Sequence, residues 1–242
     1  MNFLVDSGNT RLKWAVMQDG ELMSSHALVN QQLTRHELIA AWKRLRPERL
    51  VIACVSRAPL LELVRTVAVE LWPSIDIIDV KSQAHAFGVH NAYLQPEKLG
   101  VDRWLALVAV RKLYHQAACI VDCGTAITVD LIDADGKHQG GLISPGLTLM
   151  KKSLAAGTEA LPFDETSHVA GPANFTAAAI YSGTLAAAVG LIEHVVSKQV
   201  SPVSVILTGG DAELIAAQLA FKPTVDADLV LRGLVIVLAD LG

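Results

Sequence analysis

The stretch "FLVDSGNTRLKWAV", residues 3–16, runs three apolar residues into an acid, Asp6, then into a turn of small polar residues, then into a second alternating apolar run. The arrangement returns as "IVDCGTAITVDLI", residues 120–132. Val5 and Val121, Asp6 and Asp122, Gly8 and Gly124, Asp19 and Asp135, and Gly20 and Gly136 all stand at one offset of 116. A single offset held over five positions implies a duplication, each half opening with a hairpin and closing its second strand at an Asp-Gly turn. Two packed lobes with a cleft between them are expected, divided as 1–115 and 116–242.

Outward from the hairpins, helical and strand patterns alternate. Residues 32–46, "QLTRHELIAAWKRLR", place Leu33, Leu38, Ile39, Trp42 and Leu45 on one helical stripe, and "RLVIACVS" then reads as a buried strand. "PLLELVRTVAVELW" and "SIDIIDV" repeat helix and strand. Further helical patterns lie at 98–115, 148–157, 176–198 and 212–220, with the strand "VSVILTGG" among them. Strands alternating with helices predict helix-covered sheets of largely parallel strands within an α/β class.

Composition narrows the function classes. The chain has 242 residues, 52% hydrophobic and 18% charged, with a net charge of -4. That balance offers no electrostatic footprint for nucleic acid or an anionic membrane. The N-terminus lacks the basic and apolar regions of a signal peptide. No run reaches the roughly 18 apolar residues of a membrane span, and the apolar tail "LVLRGLVIVLADLG" is broken by Arg232. A soluble cytoplasmic protein is therefore expected. Cys54, Cys119 and Cys123 show no CxxC spacing, and the eight histidines form no HExxH or paired-ligand pattern. Buried thiols and solvated or satisfied imidazoles are the simple reading.

The chemistry concentrates in the repeated turns. A strand, an acid, a small residue and glycine, followed by Asn-Thr or Thr-Ala, make a tight turn whose N–H groups and hydroxyls can face an anion. Asp6 and Asp122 repel phosphate themselves but can orient a cation or its water shell, and Lys13 can add positive charge. The competing reading is a pair of ordinary hairpins with Asp making local turn bonds. No GxxxxGK[ST] and no GxGxxG after a strand occurs, so a nucleotide would rest on the paired turns, with "TGG" at Thr208–Gly210 as a further close-approach loop. In "NAYLQPEKLGVDRWLALVAVRK", Asp102 and Arg103 open a long apolar helix. Either Asp102 is a mere dipole partner with Arg103 as its companion, or it orients a substrate hydroxyl while Arg103 holds an anionic group.

Six stretches, "DSGNTRLK", "NAYLQPEKLGVDRW", "DCGTAITVD", "GGLISPG", "FTAAAIYSG" and "TGG", stand in an order and spacing that closely resemble the type III pantothenate kinases. The resemblance spans the whole chain. It implies the acetate kinase, sugar kinase, Hsp70 and actin superfamily: duplicated actin-like (ribonuclease H-like) lobes, each with a mixed sheet, and a nucleotide cleft between them. It implies phosphorylation of pantothenate by ATP to 4'-phosphopantothenate, the first step of coenzyme A biosynthesis. By resemblance, Asp6, Ser7, Gly8, Asn9, Thr10, Arg11, Leu12 and Lys13 form the first phosphate motif, with Asp6 near the Mg²⁺ of ATP. Gly100, Val101, Asp102 and Arg103 form the pantothenate motif, with Asp102 as proton acceptor and Tyr93 lining the substrate. Asp122 resembles the ligand of a monovalent cation, K⁺ or NH₄⁺, and Thr125 an ATP contact. Thr176 resembles the threonine that reaches the substrate from a second subunit, which implies a homodimer, with neither nucleic acid nor membrane as partner.

Two rival functions remain on the same residues. One is a related small-molecule kinase of this superfamily, such as a sugar kinase, since fold does not fix substrate. The other is a non-catalytic regulatory accessory protein, against which the retained Asp6, Asp102 and Asp122 argue.

Overall fold

A computed structural model describes residues 1–240. The chain divides into two compact units: Met1–His115 with Asp135–His138 and the segment from Asp228 onward, and Gln116–Ala134 with Gln139–Ala227.

The first unit is built on β1 (Asn2–Ser7), β2 (Arg11–Gln18), β3 (Glu21–Val29), β4 (Arg49–Cys54) and β5 (Asp76–Asp79), in the order β3-β2-β1-β4-β5. The two hairpin connections make β3, β2 and β1 antiparallel, and the helical crossovers make β1, β4 and β5 parallel. The sheet is therefore mixed rather than largely parallel, because a two- or three-residue turn can only reverse the chain. Helix α1 (Arg35–Trp42) begins later than the apolar stripe suggested. Thr34 and Glu37 form a capping box that fixes its first turn and leaves Leu33 outside. Helix α2 (Ala58–Leu71) precedes β5. Phe3, Trp14, Trp42 and Trp72 meet edge-on or stacked at centroid distances of 5.1 to 6.2 Å and fill the core beneath α1 and α2.

After β5 comes a small hairpin, β6 (His85–Ala86) and β7 (Val89–His90), then α3 (Val101–Tyr114). Nine residues of α3 are buried, Val101 and Arg103–Val110. What covers α3 is the C-terminal helix, the apolar tail expected in the second half.

The second unit repeats the topology. Strands β8 (Ala118–Cys123), β9 (Ala126–Ile132), β10 (His138–Pro145), β11 (Ser204–Thr208) and β12 (Thr224–Val225) lie in the order β10-β9-β8-β11-β12. β8 starts and ends at the offset of β1, residue for residue, but its turn is one residue shorter. Ser7 pairs with Leu12 in the first copy, and Cys123 with Ile127 in the second. Helix α4 (Leu147–Gly157), α5 (Thr176–Ser197) and α6 (Ala212–Ala216) accompany this sheet. Helix α7 (Leu229–Asp240) closes the described chain and packs on α3 in the first unit. At Gly233 of α7 an added Cβ would lie 2.3 Å from the Leu105 carbonyl oxygen, so the two helices cross with backbone nearly touching.

Helix α5 is long and apolar enough to cross a membrane, which the sequence reading did not anticipate. One face, Tyr181, Leu185, Ala188, Ile192 and Val195, belongs to the core of the second unit.

Candidate active site

In the first unit, β1 delivers Asp6 and Ser7 to the sheet end. Asp6 is only 9% exposed and stands opposite Lys13 in the antiparallel register, so the two side chains leave the sheet on the same face. The turn is closed by Gly8 N–H donating to the Arg11 carbonyl at 3.1 Å. The Asn30 amide donates to the Gly8 carbonyl at 2.8 Å, and the Asn30 N–H to the Thr10 carbonyl at 2.8 Å. Ser7 Oγ lies 2.7 Å from Ser56 Oγ, and the Ser7 carbonyl accepts from the N–H groups of Val55 and Ser56. Asn30 and Ser56 therefore hold the turn from both sides. Neither was singled out from sequence, and only their places, just after β3 and β4, could have pointed to them. Asn9, Thr10 and Arg11 are exposed at the turn. Leu12 is fully buried among the aromatic residues, so only its backbone faces the turn.

The second chemical group of this unit lies at the start of α3. Gly100 caps the helix, and Asp102 Oδ1 accepts from the Arg103 N–H at 2.8 Å. A Cβ at Gly100 would sit 2.5 Å from that same oxygen, which explains the glycine. Val101 is buried. Arg103, 6% exposed, donates from Nη1 to Tyr93 Oη at 2.7 Å, and its guanidinium carbon lies 5.5 Å from the Tyr93 ring centroid. Tyr93 is held by a loop built on Asn91, whose Oδ1 accepts from the Tyr93 N–H at 3.0 Å. The Asn91 amide donates to the carbonyls of Gln83 and Pro96 at 3.1 and 3.2 Å. Asn91 is a third residue the sequence reading passed over, since an isolated Asn in a polar loop carries no periodic signal.

In the second unit, Asp122 is the penultimate residue of β8, beside two close glycine positions. A Cβ at Gly209 would fall 2.5 Å from Asp122 Oδ1, and one at Gly124 3.2 Å from it. Gly209 also has φ +95°, so glycine is required twice over. Thr125 sits in the turn, its carbonyl accepting from Gly146 N–H at 2.9 Å. Gly209 and Gly124 thus form a close cradle around the Asp122 carboxylate. Cys123, next in sequence, has its thiol pushed up in pKa by burial and then by the Asp122 and Asp211 charges, which keeps it protonated and inert.

Thr176 lies elsewhere, at the first turn of α5. With Phe175, Ala179, Gly183 and Met150 it lines an open apolar groove of about 790 Å³ between α4 and α5.

Residues 2–198 match the family model described as type III pantothenate kinase. The chain belongs to the type III pantothenate kinases. Curated type III pantothenate kinases from Nitrosococcus oceani and Dechloromonas aromatica are 39% and 38% identical to it. They align over 99% and 95% of this chain and 94% and 95% of their own lengths. Among solved structures, a Campylobacter jejuni protein described as a Baf family transcriptional activator has a TM-score of 0.62 at 21% identity. That match covers 99% of this chain and 98% of the other. A Sinorhizobium meliloti protein described as a 2-dehydro-3-deoxygalactonokinase has 0.58 at 12%, covering 100% and 99%. At such identities these two speak for the fold alone, the actin-like and sugar-kinase class. As a type III pantothenate kinase the chain is an enzyme, a transferase that uses ATP with a divalent metal ion.

Proposed function

We propose that the chain transfers the γ-phosphate of ATP to the primary hydroxyl of pantothenate, giving 4'-phosphopantothenate for coenzyme A synthesis. The observation that carries the substrate side is the Asp102, Arg103 and Tyr93 group at the start of α3. Arg103, held by the Tyr93 hydroxyl, is oriented to bind the carboxylate of pantothenate. Asp102 accepts the hydroxyl proton and aims the oxygen for in-line attack. A carboxylate at a helix N-terminus stays ionised, so positioning outweighs base strength in its contribution.

On the nucleotide side, Asp6 and the Ser7–Lys13 turn face the phosphates, with Lys13 opposite Asp6 supplying positive charge. Asp6 would orient a divalent ion bound with ATP, an ion that would neutralise charge on the phosphates. Asp122 in its glycine cradle is the ligand for K⁺ or NH₄⁺, and Thr125 contacts ATP.

The active enzyme is a homodimer in this reading, with Thr176 of the partner subunit reaching the substrate. Support comes from α5. Ala179, Gly183, Ala186, Ala187 and Gly190 form an exposed face of small residues. Nothing lies within 4 Å of a Cβ added at Gly183 or Gly190, so the fold of one chain does not require glycine there. Glycine costs a helix about 1 kcal/mol relative to alanine, and close approach of a second helix supplies the missing reason.

Release of ADP from ATP with Mg²⁺ and K⁺, assayed with pantothenate against a panel of hexoses, tests the substrate. Pantothenate-dependent release is expected. Equal release with a hexose, or none with pantothenate, overturns the reading.

A further inference from the structure

The turn that leads from β9 into β10, Asp135–His138, belongs to the first unit. Within the first unit the turn is locked against the β6–β7 hairpin. The His90 N–H donates to the Gly136 carbonyl at 2.9 Å, and the Gly88 carbonyl accepts from Arg111 Nε at 3.2 Å. A Cβ at Gly136 would lie 1.9 Å from that Gly88 oxygen, and φ there is +86°. The turn thus has one seat, and the seat places His138 behind Tyr93.

His138 is 4% exposed. Its Nδ1 accepts from the Ala92 N–H at 3.4 Å, and its ring lies nearly parallel to that of Tyr93, 14° apart with centroids 6.2 Å from each other. Accepting at Nδ1 requires the tautomer that carries its proton on Nε2. Tyr93 in turn accepts from Arg103. Three groups therefore form one row, with a buried side chain at each end.

We infer that His138 is a positioning residue for the acid substrate. It fixes the backbone at Ala92 and the plane of the Tyr93 ring, so that the Tyr93 hydroxyl holds the Arg103 guanidinium at one orientation. A guanidinium binds a carboxylate through a planar fork, and its orientation decides how many hydrogen bonds form. The inference rests on the reading of Tyr93 and Arg103 as substrate-binding residues. His138 touches no reacting atom in this reading, so its effect belongs in substrate affinity and not in the chemical step.

The test is steady-state kinetics on the full-length enzyme for His138→Ala, His138→Asn and His138→Phe, with Arg103→Lys alongside. Asn keeps an acceptor near the Nδ1 position, and Phe keeps the ring without the acceptor. With His138→Ala, KM for pantothenate rises about 5- to 10-fold, the loss of one net hydrogen bond and a ring contact. KM for ATP and kcat stay within about twofold, and Asn and Phe each recover part of the loss. An unmoved pantothenate KM, or equal rises in both KM values, overturns the role of His138. The Asn and Phe variants keep the question answerable if Ala fails to fold. If Arg103→Lys also leaves pantothenate KM unmoved, the substrate-site reading itself fails and this inference with it. If Arg103→Lys raises it and His138→Ala does not, only His138 is reassigned.

Discussion

Asp102 meets a structural requirement and, in the proposed mechanism, a chemical one as well. Its Oδ1 accepts from the Arg103 N–H in the first turn of α3, so removing the carboxylate altogether would unsettle the helix start. Asn keeps an acceptor oxygen but cannot take a proton. Asp102→Asn is therefore expected to fold and bind ATP with kcat reduced about 10²- to 10⁴-fold, the usual cost of losing a positioned base. Near-wild-type kcat would remove Asp102 from the mechanism. At Asp122 the expected outcome concerns salt. Replacing Na⁺ with K⁺ or NH₄⁺ raises the wild-type rate, while Asp122→Asn responds equally to all three, as measured by ADP release at constant ionic strength. A wild-type enzyme indifferent to the cation counts against this assignment.

Among the elements, the contact of α3 with α7 leaves little room to adjust. Gly233→Ala drives a methyl group to 2.3 Å from the Leu105 carbonyl oxygen, and backbone on both sides resists the shift. A loss of about 1 to 3 kcal/mol is expected, read as a lower denaturation midpoint. Because Asp102 and Arg103 stand in the first turn of α3, under the proposed substrate assignment the same change should weaken pantothenate binding before it alters ATP binding. Strand β8 makes a separate prediction. Burial, then the Asp130 charge, raises the Cys119 thiol from 9.0 to about 12, and Cys123 is pushed up as well, whereas Cys54 is half-buried. At pH 8 a thiol reagent should label Cys54 in the native protein and the other two only on unfolding. The linkage has a definite sign. These thiols stay protonated when folded, so their contribution to stability is full below pH 9 and falls as the pH rises from 9 toward 12.

For the whole molecule the question is assembly. Gly183→Arg places a long charged side chain on the exposed face of α5, where the chain itself leaves space. The monomer should fold as well as wild type, since arginine favours helix over glycine. If α5 pairs two chains, sedimentation should show a monomer, and KM for pantothenate should rise as Thr176 of the partner subunit is withdrawn. A dimer with unchanged KM would move the interface elsewhere. The helix also shows why composition alone misleads: its apolar length meets the criterion for a membrane span, while one face is core packing and the other is small residues.

The duplication was legible because a repeated hairpin writes itself into sequence as fixed spacing. Asp6 and Asp122 each stand one residue before the end of a strand, and the sheet orders of the two units match element for element. Local rules also located most helices within a few residues, since amphipathic period and capping act over one or two turns. Contacts between distant segments left no such mark. That α7 covers α3, that Asn30 and Ser56 brace the Gly8 turn, and that His138 stands behind Tyr93 depend on where the chain returns after tens of residues. Periodicity records which face of an element is buried, and only the folded chain decides what buries it.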